Sequence, residues 1–171
     1  DGRLRHQVGE ALGDLYTSIE NLTGTAFADV FVGDDAANRL RGNAGDDVLR
    51  GLGGRDLMHG GAGEDLLLGG AGADMLDGGF GADTASYAGA SLGVRASLSN
   101  AAANTRDAAG DVYISIENLT GSSHNDQLSG DAHENAISGG AGADTMMGGN
   151  GNDTYRVDDT ADVVTETSPT G

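Results

Sequence analysis

Two nine-residue units stand back to back near the middle of the chain: Gly60-Gly61-Ala62-Gly63-Glu64-Asp65-Leu66-Leu67-Leu68 and Gly69-Gly70-Ala71-Gly72-Ala73-Asp74-Met75-Leu76-Asp77. Both fit G-G-x-G-x-D-x-U-x, where U is a large apolar residue. Nine residues are too few for a helical hairpin. They suffice for a tight turn, since glycine reaches positive φ and lets backbones approach closely, followed by a three-residue strand. In such a strand the middle side chain points one way and its neighbours the other. The spacing therefore predicts a stack of turns and short strands, with one apolar residue and one acid per unit.

The pattern extends in both directions. Gly24, Gly33, Gly42, Gly51, Gly60, Gly69 and Gly78 open consecutive units, and Gly121, Gly130, Gly139 and Gly148 open more. If two units complete one coil, residues 18 apart become neighbours. Leu49, Met58, Leu67, Leu76, Leu128, Ile137 and Met146 then point inward. Val48, Leu66 and Leu68 point outward on one face, and Leu57 and Met75 on the other. Units 24–32, 33–41, 121–129 and 130–138 lack most internal glycines but keep Asp29, Asn38, Asp126 and Asn135 at the sixth position. A longer period of 97 is superimposed: Asp14 to Gly24 recurs as Asp111 to Gly121. The expected organisation is a connector tail and entry strand over 1–23, a first block over 24–86, a connector over 87–120, a second block with its cap over 121–165, and a frayed tail over 166–171. Within the connector, 86–88, 94–98 and 112–119 read as strands, and 99–110 as a loop.

Composition narrows the chemistry. Gly is 31 of 171 residues and Pro is 1, there is no Cys or Lys, and the formal charge is −18. Such a chain has neither a disulfide framework nor a thiolate metal site. Its field repels nucleic acid and anionic lipid. No run of residues has transmembrane length. His6, His59, His124 and His133 are scattered, and His124 and His133 fall on opposite edges of the coil, which argues against zinc. No serine sits in a nucleophile-elbow setting. Paired acids could suggest a glycosidase, but the 18-residue register accounts for them as ligands, so no enzyme is expected here.

Stacking sorts the acids into rows. Glu20, Asn38, Asp56 and Asp74 share one edge, and Asp29, Asp47, Asp65 and Asp83 the other. In the second block, Glu117, Asn135 and Asp153 share an edge, as do Asp126, Asp144 and Asp162. Carboxylates repeated at the strand spacing of about 4.8 Å repel one another unless cations lie between them. A hard oxygen cage with backbone carbonyls suits Ca²⁺, which takes six to eight oxygens, better than Mg²⁺.

In these motifs the chain resembles the hemolysin-type calcium-binding (RTX) repeats of bacterial secreted proteins, over roughly 24–86 and 121–165. The resemblance implies an all-β fold: a parallel β-roll, a right-handed β-solenoid with two nonapeptides per coil, in two blocks joined by a β-rich connector. It also implies a ligand set: carbonyls at the second and fourth positions plus the Asp of one turn, with carbonyls at the first and third positions plus the Asp of the turn 18 residues on. On this chain one site takes Asn43, Gly45 and Asp47 with Gly60, Ala62 and Asp65. A second takes Leu52, Gly54 and Asp56 with Gly69, Ala71 and Asp74. A third takes Gly61, Gly63 and Asp65 with Gly78, Phe80 and Asp83. In the second block, Gly140, Gly142 and Asp144 face Val157, Asp159 and Asp162, and Ser122, His124 and Asp126 face Gly139, Ala141 and Asp144. Asp131, His133 and Asn135 with Gly148, Asn150 and Asp153 form a weaker set. Three interfaces depart from the pattern. Phe27 replaces a glycine below Asp47, Asn38 lacks a charge below Asp56, and 18 residues past Asp74 stands Leu92, which offers no second carboxylate.

About 5–7 Ca²⁺ ions would offset most of the negative charge, and binding free energy would then appear as folding free energy. The resemblance implies type I export of an unfolded chain and folding in extracellular calcium. The leading expectation is a folding, secretion and structural part of a larger secreted protein, such as an adhesin, toxin, protease, lipase or polysaccharide-modifying enzyme. The alternative is a module that binds polysaccharide or a partner through its outer strand faces or its connector.

Overall fold

A computed structural model describes residues 20–166 and the backbone of Arg5–His6. Expectations for the rest of 1–19 and for 167–171 lie outside the described residues. In chain order the strands are β1 (Arg5–His6), β2 (Asn21–Thr23), β3 (Val30–Val32), β4 (Arg39–Ala44), β5 (Val48–Gly54), β6 (Leu57–Ala62), β7 (Leu66–Gly72), β8 (Met75–Phe80), β9 (Thr84–Ser86), β10 (Arg95–Ser97), β11 (Val112–Ile114), β12 (Asn118–Thr120), β13 (Gln127–Ser129), β14 (Ala136–Ser138), β15 (Thr145–Met147), β16 (Thr154–Arg156) and β17 (Val163–Thr165). No helix among the described residues is long and apolar enough to cross a membrane.

The chain forms a parallel β-solenoid and divides into two compact units, residues 1–85 with 111–116, and residues 86–110 with 117–171. In the first unit, strands two apart in sequence pair in parallel. One sheet runs β3-β5-β7-β9, with β1 added antiparallel, and the other runs β2-β4-β6-β8-β11. The register is 18 residues, as in Leu49 against Leu67 and Met58 against Leu76. In the second unit the sheets run β12-β14-β16 and β10-β13-β15-β17, with Ile137 against Leu119 and Met146 against Leu128.

Each x-U-x strand buries its middle residue. Phe31, Leu40, Leu49, Met58, Leu67 and Leu76 form the core of the first unit, and Leu119, Leu128, Ile137 and Met146 that of the second. The residues expected inward are all there. Of those expected outward, Val48, Leu57, Leu66 and Leu68 are half-buried beneath their neighbours in the adjacent layers, and Met75 is exposed. The eighth-position residue of the last unit, Val164, is 40% exposed, because no further described strand continues the parallel series past β17.

The connector departs from expectation in three places. The strand anticipated over 86–88 stops at Ser86, where β9 ends, because the chain turns there, with the Ala90 N–H on the Tyr87 carbonyl at 2.9 Å. The strand anticipated over 112–119 is two strands, β11 and β12, divided at Ser115, whose φ of 47° turns the chain. The position above Asp74 is taken by Asp111, not Leu92. Val112 pairs with Met75 and Tyr113 with Leu76, so the residue preceding that strand falls over Asp74. The physical reason is that backbone pairing, not residue count, sets the layer. The chain leaves the first unit after Ala85 and returns to it at Asp111.

Leu67 is fully buried between Leu49 and Ala85 in the strand register. Leu67→Ala should cost about 2–5 kcal/mol through lost burial and the cavity left. The half-buried Leu68→Ala should cost less. Denaturant unfolding of both variants in saturating calcium compares them.

Candidate metal centre

The sixth-position side chains hold the layers together. Oδ1 of Asp47 accepts the backbone N–H of Asp29 at 2.7 Å, and Oδ1 of Asp65 accepts that of Asp47 at 2.8 Å. Asp83 does the same for Asp65 at 2.8 Å. On the other edge Asp56 accepts from Asn38, Asp74 from Asp56, and Asp111 from Asp74, at 2.8 to 2.9 Å. In the second unit Asp126 accepts from Val94, Asp144 from Asp126, Asp153 from Asn135, and Asp162 from Asp144. Each carboxylate thus ties its own turn to the turn below.

That bond uses one oxygen. The other, Oδ2, is buried with no hydrogen-bond partner in Asp47, Asp56, Asp65, Asp74, Asp144 and Asp153. It lies against the first glycine of its own unit. A Cβ at Gly42, Gly51, Gly60, Gly69, Gly139 or Gly148 would collide with it. A buried, unpaired carboxylate oxygen is costly unless a cation or proton satisfies it.

Carbonyls face one another across the same layers. Gly61 and Gly63 have φ of 126° and 137°, a left-handed backbone open to glycine. A Cβ on either would strike the carbonyl oxygen of Asn43 or Gly45 in the turn below. The carbonyls of Leu52 and Gly54 likewise meet Gly70 and Gly72, and those of Gly61 and Gly63 meet Gly79 and Gly81. From above, the Gly60 carbonyl faces Gly42 and the Gly69 carbonyl faces Gly51. The carbonyls of Ala62 and Phe80 accept the N–H groups of Gly45 and Gly63 at 2.8 and 2.9 Å, and that of Ala71 faces Gly53. Second- and fourth-position carbonyls therefore point up, while first- and third-position ones point down. Asn43 and Leu52 take the same left-handed turn without being glycine, with φ of 85° and 78°.

The anticipated residues are brought together at Asp47 and Asp65, at Asp56 and Asp74, and at Asp65 and Asp83, with carbonyls converging from both turns. In the second unit Asp126 and Asp144 lie in register, the Ser122 and His124 carbonyls point up at Gly140 and Gly142, and the Gly139 carbonyl points down at Gly121. Asp126 differs from Asp47, Asp56, Asp65 and Asp74, since Ser122 N–H binds its Oδ2 at 2.6 Å. Asp144 and Asp162 are also in register, but Oδ2 of Asp162 accepts the N–H groups of Asp158 and Asp159 at 3.1 Å each. Of the weaker set, the Asp131 and His133 carbonyls point at Gly149 and Gly151. Asp111 was missed as a second carboxylate for Asp74. Its signal is local: Asp111-Val112-Tyr113-Ile114 reads as the D-x-U-x end of a unit.

No three His, Cys, Asp or Glu side chains cluster among the described residues, so any cage draws on the backbone. Carboxylate pairs, converging carbonyls and orphaned buried oxygens fit a hard cation with many oxygen ligands. Burial, the largest cause, lifts the Asp47 carboxyl to about 6. The hydrogen bond from Asp29 opposes that rise, and the charges of Asp65 and Asp29 add to it. Burial likewise lifts Asp56 to about 7, with Asp74 among the charges adding to the rise. Asp65, Asp74, Asp144 and Asp153 are raised by the same leading cause. Asp162 is lowered, by its backbone hydrogen bonds with Asp144, Asp159 and Asp158.

A parallel roll whose turns aim carbonyls and acids into the space between layers belongs to the class of metal-binding repeat folds. The chain is a member of the RTX calcium-binding nonapeptide repeat family, whose model, described as covering four copies of the repeat, matches residues 23–58, 50–85 and 120–155. The curated proteins contain no match to the chain. The repeats make this a calcium-binding module.

The raised carboxyls set a pH dependence of opposite sign with and without metal. Without metal, the roll retains protons that the unfolded chain releases near pH 4, so its stability is greatest below that value and is lost as pH rises through about 6 to 7. In chelator, β-type circular dichroism should therefore be stronger at pH 5 than at pH 8. In calcium the ligands must be deprotonated, so affinity measured by calorimetry should fall as pH drops from 8 to 5.

Proposed function

We propose that this chain folds on binding extracellular Ca²⁺ and serves as a folding, secretion and structural part of a larger secreted protein. The observation that carries this reading is the row of buried Oδ2 atoms without a partner in Asp47, Asp56, Asp65, Asp74, Asp144 and Asp153. Without cations these turns bury unpaired charge in a chain of formal charge −18. With cations the same atoms become ligands. Asp47 with Asp65, Asp56 with Asp74, and Asp65 with Asp83 are the first assignments, each with the carbonyls described above. In the second unit the assignment rests on Asp144, whose Oδ2 has no partner, in register with Asp162. The coupling follows from this chemistry. Extracellular calcium modules bind at about 10⁻⁴–10⁻³ M, so most of the roll would stay unfolded where calcium is scarce and fold where it is plentiful, which suits passage through a type I exporter. Circular dichroism with a calcium titration and with chelator tests it. A full β spectrum is expected at millimolar calcium, with most of the β signal lost near neutral pH in chelator; identical spectra would refute it.

A second reading, a polysaccharide-binding module, draws on one outer face. Arg39 and Arg41 stand two residues apart on β4, both exposed, beside a cavity of about 230 Å³ that Leu57, His59 and Asp77 also line. His59 Nδ1 lies 3.1 Å from Asp77 Oδ2. Two guanidinium groups beside an apolar residue suit a carboxylated sugar chain. Retention on immobilised alginate in calcium, lost in Arg39→Ala/Arg41→Ala, is the expected result. No retention of the parent chain removes this reading.

A further inference from the structure

Turns 24–29, 33–38, 121–126 and 130–135, and the closing turn 157–162, where the Asp158 N–H reaches Asp162 Oδ2 at 3.1 Å, are wired differently from the left-handed glycine-type turns. In turn 24–29, Oδ2 of Asp29 accepts the Thr25 N–H at 2.6 Å and the Thr25 hydroxyl at 3.0 Å, while Thr25 Oγ1 accepts the Phe27 N–H at 3.1 Å. Turn 121–126 repeats this with serine. Asp126 accepts the Ser122 N–H at 2.6 Å and the Ser122 hydroxyl at 3.0 Å, and Ser122 Oγ accepts the His124 N–H at 3.0 Å. The other edge uses a second scheme, again twice. In turn 33–38, Asn38 Oδ1 accepts the Asp34 N–H at 2.9 Å, and Asp34 Oδ1 accepts the Ala36 N–H at 2.9 Å and the Asn38 amide at 3.3 Å. In turn 130–135, Asn135 Oδ1 accepts the Asp131 N–H at 2.8 Å and Asp131 Oδ1 the His133 N–H at 2.8 Å.

The second-position residue decides the wiring. Where it is Thr25, Asp34, Ser122 or Asp131, it does not take positive φ, and its N–H points at the sixth-position side chain. Where it is Asn43, Leu52, Gly61, Gly70, Gly140 or Gly149, φ lies between 78° and 126°. The turn is then flipped, and the sixth-position Oδ2 is left without a partner. The six flipped turns just named and the six orphaned oxygens coincide one for one.

We infer that the coils 24–41 and 121–138 close without calcium, bind none on their upper faces, and act as the preformed platform on which the calcium-dependent coils assemble. The inference rests on the calcium reading and refines it. An oxygen already accepting an N–H and a hydroxyl is a poor ligand, and Asn38 and Asn135 bring no charge. In exchange, these coils bury no unpaired carboxylate oxygen and need no cation to form. Each presents carbonyls and backbone donors upward. Asp29 and Asn38 N–H groups meet Asp47 and Asp56, and Asp126 and Asn135 N–H groups meet Asp144 and Asp153. The next coil can therefore dock in register before metal enters. Calcium would then fill the layers from the platform outward.

The test counts calcium by native mass spectrometry of the whole chain and of Ser122→Gly/His124→Gly, which rewrites turn 121–126 as a glycine turn. One additional calcium ion in the variant is expected, and an unchanged count at saturating calcium overturns the inference. Amide hydrogen exchange in chelator provides the second readout. The N–H groups of Thr25, Phe27, Ser122 and His124 should exchange more slowly than those of Gly61, Gly63, Gly70 and Gly72, and equal exchange overturns the platform role. If the parent chain binds no calcium at all, the calcium reading itself falls, a result distinct from either of these.

Discussion

The structure depends on one hydrogen bond repeated along both edges of the roll: a backbone N–H at the sixth position of one turn, received by Oδ1 of the acid in the turn above. It fixes the spacing of the layers, because a side chain and a backbone donor must meet at about 2.8 Å in every coil. It also fixes the orientation of the carboxyl group, since Oδ1 is committed and Oδ2 must swing toward the first residue of its own turn. Only glycine leaves room there. The glycine that opens each unit is thus required by the carboxylate, and the carboxylate is required by the layer beneath it. Metal chemistry enters as the remedy for the oxygen left over.

The hydrophobic part is modest by comparison. Each unit supplies one inward residue, and no layer has more than two facing each other from the opposed strands. Burial of Leu49, Met58, Leu67 and Leu76 favours the stack, as apolar surface leaves water at about 25 cal/mol per Å². The edges oppose it in the absence of cations, because burial and neighbouring charge lift Asp47 and Asp56 toward neutral pH. The balance between a thin core and strained edges is what makes a metal ion decisive here, where a thicker core would make it incidental.

Much of this was legible in the residues because the repeat is short and strict. The 18-residue register, the inward row from Leu49 to Met146 and the acids at the sixth position follow from period and residue type alone. Two things were not legible. Leu92 stood where counting placed the partner of Asp74, yet Asp111 takes that place, because strand pairing tolerates an excursion that counting does not. The wiring of the weak units was also hidden. Thr25, Asp34, Ser122 and Asp131 look like failures of the glycine pattern, and only the hydrogen bonds show that each supplies its own turn with donors. Residue type says a glycine is missing; the direction of one peptide plane says what replaced it.

The excursion between Ala85 and Asp111 has a consequence for how this chain can be divided. The first unit takes its last strand, β11, from residues that follow the loop, and the second takes β10 from within it. The two units are therefore interleaved along the sequence although each is compact in space. A scissile bond anywhere in 86–110 would leave β11 and Asp111 on a separate fragment from β8 and Asp74, held to the first unit by strand pairing alone. Neither repeat block is a cassette that can be excised at its apparent ends.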